Sequence, residues 1–313
     1  MIIATASDDA FMPGLLALLH SAHSHNPEAR FLVIDMGMSP GSRFKLDALI
    51  DRFGISASII RGAPDAFARL PHVQRFARSA YARLLIPELL PNESKALYID
   101  ADAVVTCGLG ELWEKELGNF LIAAARDEFI AADEAARAGV NADSYFNSGV
   151  LLMNLDLWRS EHVASEAMAT IEKDRRLTLP DQTALNAICR GRVMLIDRRW
   201  NLFAASVVEL PITEPGIIHF TGVEKPWQRC DIPLFDFYGE HARRAGIELN
   251  FESERRTLRQ FRKSVFGLLG FRSKYWRPLL VKWRYRLLLR RYVAHLRRLP
   301  AAVQTGRRQA SPG

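Results

Sequence analysis

The sequence predicts an α/β fold, a mostly parallel sheet flanked by helices, on three observations. Short apolar runs suited to buried strands alternate with segments of helical apolar spacing. The runs recur at the spacing of βαβ units, and several end in acidic residues. The 313 residues, 49% hydrophobic and 25% charged, suffice for one large domain or two smaller ones and argue against a disordered chain.

Each element has its own reason. Ile2 to Ala6 is an apolar run closed by Ser7-Asp8-Asp9, a buried strand. Pro13 suits a first helical turn, Leu15, Leu16, Leu18 and Leu19 supply an apolar face, and Asn26-Pro27 ends the helix. His20, His23 and His25 near that end read as a surface helix terminus. Phe31 to Ile34 and Ser58 to Ile60 are strands on either side of a helix from Ser42 to Phe53. A longer helical stretch, Val73 to Leu90, breaks near Pro87 and leads into the strand Ala96 to Ile99. Phe120 to Ala125 and Gly149 to Asn154 repeat the strand signal. Asp156 to Lys173 keeps helical spacing behind a capping Asp156. Pro180-Asp181-Gln182 opens a short helix through Ile188, and Val193 to Ile196 and Gly216 to His219 are the last strands.

The charge is divided. Residues 251–313 carry 17 of the 42 Lys and Arg but 2 of the 35 Asp and Glu, a net +15, which leaves −8 on residues 1–250. The expected domains follow that division, a catalytic body over 1–250 and a basic helical tail over 251–313 that ends in disorder. Cys107, Cys189 and Cys230 are too few and too scattered for a disulfide framework or a structural zinc site. The amino terminus lacks the basic and apolar regions of a secretory signal, and no run of apolar residues is long enough to span a bilayer.

In open parallel sheets ligands lie beyond the carboxyl ends of the strands. Three acidic clusters fall at such ends: Asp8-Asp9, Asp100-Ala101-Asp102 and Asp127-Glu128. With neither a GxGxxG nor a Walker A sequence, an anionic ligand held by acidic groups needs a cation between them. On a continuing strand Asp100 and Asp102 would point to one side and share a divalent ion. Carboxylates suit Mg²⁺ or Mn²⁺, and an added imidazole favours Mn²⁺. By itself an Asp-x-Asp is more often a solvated loop than a metal site.

The neighbouring blocks make it more specific. Arg78 to Leu84 followed by Ala96 to Asp102, then Tyr145 to Asn154, Pro180 to Asn186 and Ile218 to Trp227, together with the start at Ala6 to Asp9, resemble in order and spacing the family 8 glycosyltransferases. These are the glycogenin-like enzymes and the bacterial lipopolysaccharide galactosyl- and glucosyltransferases. The resemblance covers roughly residues 1 to 240. It implies a GT-A fold and transfer of a hexose from a UDP-sugar to a saccharide or glycolipid acceptor, with retention of configuration. It also implies that Asp100, Asp102 and His219 are ligands of Mn²⁺, and that Gly222 and Lys225 contact the diphosphate. Arg83 then faces sugar and phosphate, Ala6 and Asp8 meet the uridine, and Asp127, Asn147, Asp181 and Gln182 line the donor sugar. Gln182 falls near the anomeric carbon, as a nucleophile or as a stabiliser of positive charge. Ala10 departs from the asparagine common in bacterial relatives, so one nucleotide contact differs. Asp181 also reads as the N-cap of its helix. The alternative is a catalytically idle relative serving as a binding or scaffold module.

The tail interleaves Arg and Lys with Leu, Phe, Tyr and Trp, as at Arg259, Phe261, Arg262, Lys263 and Phe266. Such a segment suits an anionic membrane surface, with a protein partner as the rival. No nucleic-acid motif accompanies the charge, so nucleic acid is not an expected partner. The expected location is cytoplasmic, peripheral at the inner face of a bacterial membrane.

Overall fold

The structure, a computed structural model, describes residues 1–62, 67, 70, 78–174, 176–205, 214–229 and 234–249. The basic tail, its boundary with the body and Cys230 lie outside the described residues, as does the first part of the helical stretch expected from Val73.

The first half alternates as expected: β1 (Ile2–Ser7), α1 (Met12–His25), β2 (Arg30–Asp35), α2 (Pro40–Phe53) and β3 (Ser56–Arg61). Ser39 caps α2 by accepting from Ser42 N–H, and Gly54 closes it at φ +64°, a left-handed conformation that glycine adopts without strain. Arg78–Leu85 forms a 3₁₀ helix that passes into α3 (Ile86–Leu89), and β4 (Lys95–Ile99) and β5 (Ala103–Val105) follow. Next come α4 (Gly110–Trp113), β6 (Ile122–Arg126), α5 (Ala132–Arg137) and β7 (Phe146–Asn154). The single helix expected over 156–173 is two, α6 (Leu155–Ser160) and α7 (Val163–Lys173). His162 stands between them at φ +54°, and the cap is Asn154, which accepts from Leu157 N–H, not Asp156. The chain continues through α8 (Pro180–Ile188), β8 (Val193–Ile196), β9 (Leu202–Phe203), β10 (Ile217–His219) and α9 (Phe235–Arg244).

Seven strands form one sheet in the order β3-β2-β1-β4-β7-β6-β8. Every neighbouring pair is parallel except the two that involve β7, which runs against both β4 and β6. The reversed strand decides where chemistry can happen. It begins at the edge where β1, β4 and β6 end, so Asn147 joins the acidic residues that follow those strands. Ile2, Ala4 and Ala6 of β1 face one apolar core and Ile3 the other, so helices cover both sides of the sheet.

A smaller sheet, β5-β10-β9, stands beside it, with His219 paired to Ala103. Asp100 and Asp102 therefore do not share a continuing strand. They flank the turn by which the chain leaves the large sheet for the small one, closed by Ala103 N–H donating to Asp100 O at 3.2 Å. Helix α9 packs over α1 and the small sheet. It sets His241 against His20, and both His20 and His23, which the sequence places at a surface terminus, are buried.

Candidate functional site

The turn between the two sheets presents Asp100 and Asp102 to His219, carried in by β10. His219 Nε2 lies 3.2 Å from Asp102 Oδ1 and 3.8 Å from Asp100 Oδ2. One ligand atom from each of the three residues falls within 4.8 Å of the others, a spacing that suits a shared metal ion. Two carboxylates and an imidazole are a donor set for a divalent ion of intermediate softness. Asp102 and His219 are buried, and the Asp100 side chain is 22% exposed, so the cluster opens on one side.

Two cations flank the carboxylates. Lys225 Nζ sits 2.5 Å from Asp102 Oδ2. Arg83, 3% exposed, donates from Nη2 to Asp100 Oδ1 at 2.9 Å and from Nε to Ala80 O, while Nη1 donates to Ser148 O and Nε lies 3.3 Å from Asp181. Tyr98 OH also donates to Asp100 Oδ1, at 2.6 Å. The pair is thereby made unequal. Burial raises Asp100, and the neighbouring Asp102 adds to the rise. Burial acts on Asp102 too, but Lys225 and His219 outweigh it and hold its carboxyl well below the usual range.

A network of amides adjoins the cluster. Gln182 Oε1 accepts from Asn147 Nδ2 at 2.9 Å and from Ser148 N–H at 3.1 Å, and Gln182 Nε2 donates to Asp127 Oδ2 at 2.9 Å. Ser148 Oγ donates to Asp181 Oδ2 at 3.2 Å. Asp181 lies in the first turn of α8 without capping it, since the N-cap is Leu179. Its carboxylate is turned to Ser148 and Arg83 instead. Gly149, next along β7, backs the cluster: a β-carbon there would land on His219 Cε1 and stand 2.8 Å from His219 Nδ1 and Asp100 Oδ2.

Asp100, Asp102, His219, Lys225, Arg83, Asp127, Asn147, Asp181 and Gln182 thus come together. The structure does not draw Ala6, Asp8 and Gly222 into that hydrogen-bonded cluster. Ala6 is buried in β1, and Asp8 Oδ1 accepts from the Ala10 and Phe11 N–H groups of the turn before α1. Gly222 lies on an exposed loop at φ +100°, where a side chain would be strained. A contact links these regions to the cluster, because Lys225 Nζ lies 5.5 Å from the Phe11 ring centre and Phe11 meets Trp227 edge-on. Residues unmarked by motif complete the site. Asn201 bonds His219, Phe203 meets the His219 ring edge-on, and exposed Phe129 stacks on Phe203. Asn201 follows a Trp in a short 3₁₀ turn, and nothing in its local sequence marks it.

Comparison with known proteins agrees with this geometry. The model of glycosyl transferase family 8 matches residues 2–231. A putative glycosyltransferase of Haemophilus influenzae is 28% identical over 245 residues, 73% of each chain. The lipopolysaccharide 1,2-glucosyltransferase of Escherichia coli is 27% identical over 225 residues, 66% of this chain and 67% of its own. The crystal structure of galactosyltransferase LgtC with donor and acceptor sugar analogues superposes with a TM-score of 0.71 at 27% identity, over 77% of this chain and 95% of the other. With sequence and architecture pointing the same way over the same body, the chain belongs to glycosyl transferase family 8 and is a glycosyltransferase of the GT-A fold.

Proposed function

We propose that this chain transfers a hexose from a UDP-sugar to a saccharide acceptor, a lipopolysaccharide or other glycolipid glycan, with retention of configuration and dependence on Mn²⁺. The observation that carries the reading is the convergence of Asp100, Asp102 and His219 beside two buried cations. Those three side chains would hold the ion. Bound there, it would supply positive charge that offsets the charge developing on the departing diphosphate. The similarity to the lipopolysaccharide glucosyltransferase supports the acceptor class.

The residues present divide the remaining work. Lys225 supplies a positive charge to the diphosphate. Arg83 is committed to Asp100, Asp181 and the Ser148 carbonyl, so it orders the wall of the sugar pocket more than it reaches into it. Asp127, Asn147 and Asp181 offer carboxylate and amide groups to sugar hydroxyls. Gln182 Oε1 already accepts two N–H groups, and an amide is a poor nucleophile, which favours attack on the face of the leaving group over double displacement. The departing diphosphate then takes the acceptor proton, and Gln182 stabilises positive charge at the anomeric carbon.

The basic tail would hold this body on the anionic inner face of a bacterial membrane. The test of the activity is UDP release by the full chain with Mn²⁺ and a panel of UDP-sugars, followed by NMR of the transferred anomer. Retention with one preferred donor is expected. Absence of release with every donor, together with no Mn²⁺-dependent UDP binding, would instead identify an idle relative.

A further inference from the structure

We propose that Asn201 is a positioning residue that fixes the tautomer of His219, so that Nε2 turns a lone pair toward Asp100 and Asp102. The inference rests on the reading of those three residues as metal ligands. It follows from a chain of hydrogen bonds anchored on main-chain N–H groups, which only donate.

Gly149 N–H donates to Asn147 Oδ1 at 2.9 Å, which sets the orientation of the Asn147 amide. The same oxygen is 2.8 Å from Asn201 Nδ2, so Asn201 presents its NH₂ to Asn147 and its Oδ1 to the other side. That Oδ1 lies 2.9 Å from His219 Nδ1 and has only acceptor capacity. Nδ1 must therefore carry the proton, and in the neutral ring Nε2 is left with its lone pair.

A second anchor agrees. Ser148 N–H donates to Gln182 Oε1, which leaves Asn147 Nδ2 as the donor to that oxygen and gives the same Asn147 orientation from the other end. Asn147, Asn201 and His219 are 8%, 2% and 3% exposed, so water has little access to rearrange the chain. Packing by Gly149 and Phe203 orients the ring plane, but packing cannot distinguish Nδ1–H from Nε2–H. Asn201 makes that distinction, and through Asn147 it joins the metal ligand to the amides around the sugar pocket.

The experiment is titration of the full chain with Mn²⁺ in the absence of nucleotide, followed by electron paramagnetic resonance of the free ion. Partners of metal-binding histidines are typically worth about 10- to 100-fold in affinity. Asn201→Ala should lose about that much, and Asn201→Asp, which keeps an acceptor for Nδ1–H but sets its second carboxylate oxygen against Asn147 Oδ1, should lose clearly less than Asn201→Ala. Wild-type affinity in Asn201→Ala, or an equal loss in both variants, would overturn the proposal. A long-range ¹H–¹⁵N spectrum of the metal-free wild type, assigned with His219→Gln, reads which ring nitrogens carry protons and needs no Asn201 variant to fold. A proton on Nδ1 supports the proposal, and a ring whose Nδ1 carries no proton refutes it. Failure of the wild type to bind Mn²⁺ would count against the metal site itself, whereas wild-type binding unaffected by Asn201→Ala counts against Asn201 alone.

Discussion

Lys225 Nζ stands 2.5 Å from Asp102 Oδ2, so the side chain suited to a phosphate is held on a carboxylate suited to the metal. A divalent ion and the ammonium repel each other across that carboxylate. Lys225→Met should therefore have opposite effects on two ligands. Mn²⁺ binding without nucleotide should tighten, by about 3- to 10-fold on a partly screened repulsion. Affinity for UDP in the presence of Mn²⁺ should fall by about 10- to 100-fold, the worth of one charge-assisted hydrogen bond. Calorimetric titration of both ligands checks the pair of effects, and loss of both affinities together would mean that Lys225 maintains the shape of the site.

Gly149 should tolerate no side chain. In Gly149→Ala the added methyl would meet the buried His219 imidazole and the Asp100 carboxylate. Overpacking of this kind costs roughly 1–3 kcal/mol. The variant should unfold at lower denaturant concentration and bind Mn²⁺ at least about tenfold more weakly, since the methyl forces the ligands apart. Chemical denaturation and metal titration of the same preparation test both effects.

Acid should destabilise the fold through the histidines between α1 and α9. His20 Nδ1 and His241 Nδ1 are 2.9 Å apart and both side chains are buried. Burial pushes His20 down to about 3, with Arg244, His23, Arg52 and His25 adding to the shift, and burial also holds His241 well below its ordinary range. Between about pH 6.5 and 3 the unfolded chain takes up a proton that folded His20 refuses. Stability is therefore unaffected by this group above about pH 6.5 and declines as the pH falls below it, by about 1.4 kcal/mol per unit for each such histidine. The denaturation midpoint should drop between pH 7 and 5, and less so in His20→Gln/His241→Gln. An equal slope in that double variant would assign the acid sensitivity to other groups.

The tail makes a separable prediction. Removal of residues 251–313 should abolish sedimentation with vesicles rich in phosphatidylglycerol while leaving UDP-sugar hydrolysis within about twofold. At about 1 kcal/mol per basic residue near an anionic surface, changing Arg259, Arg262 and Lys263 to Gln in the full chain should weaken vesicle binding by about 100-fold. Undiminished sedimentation of the truncated chain would dissociate the tail from membrane binding.

What could be read from the sequence was what depends on local pattern. The buried run Ile2 to Ala6, the Asp100-Ala101-Asp102 sequence at the end of β4 and the Pro180-Asp181-Gln182 start of α8 each carry their signal within a few residues. Features that depend on distant packing gave no such signal. His20 looks exposed until α9, more than two hundred residues later, sets His241 against it. The break at His162 is a left-handed residue inside a pattern whose apolar spacing runs on undisturbed. Asn201 is one amide in a polar stretch, and its importance lies in which atoms of Asn147 and His219 it reaches. The reversal of β7 was equally silent, because a strand buried on both faces has the same composition in either direction.

That reversal also bears on how the protein is made. Strand β7 joins the sheet by pairing Ile99 with Val150, and His219 arrives only when β10 pairs with β5. Both are long-range closures, the slow and entropically costly kind. A chain still emerging from the ribosome holds its two aspartates long before it has a histidine to set beside them. The complete cluster of Asp100, Asp102 and His219 is therefore a late product of folding, and a chain in which the three stand together has already assembled both sheets.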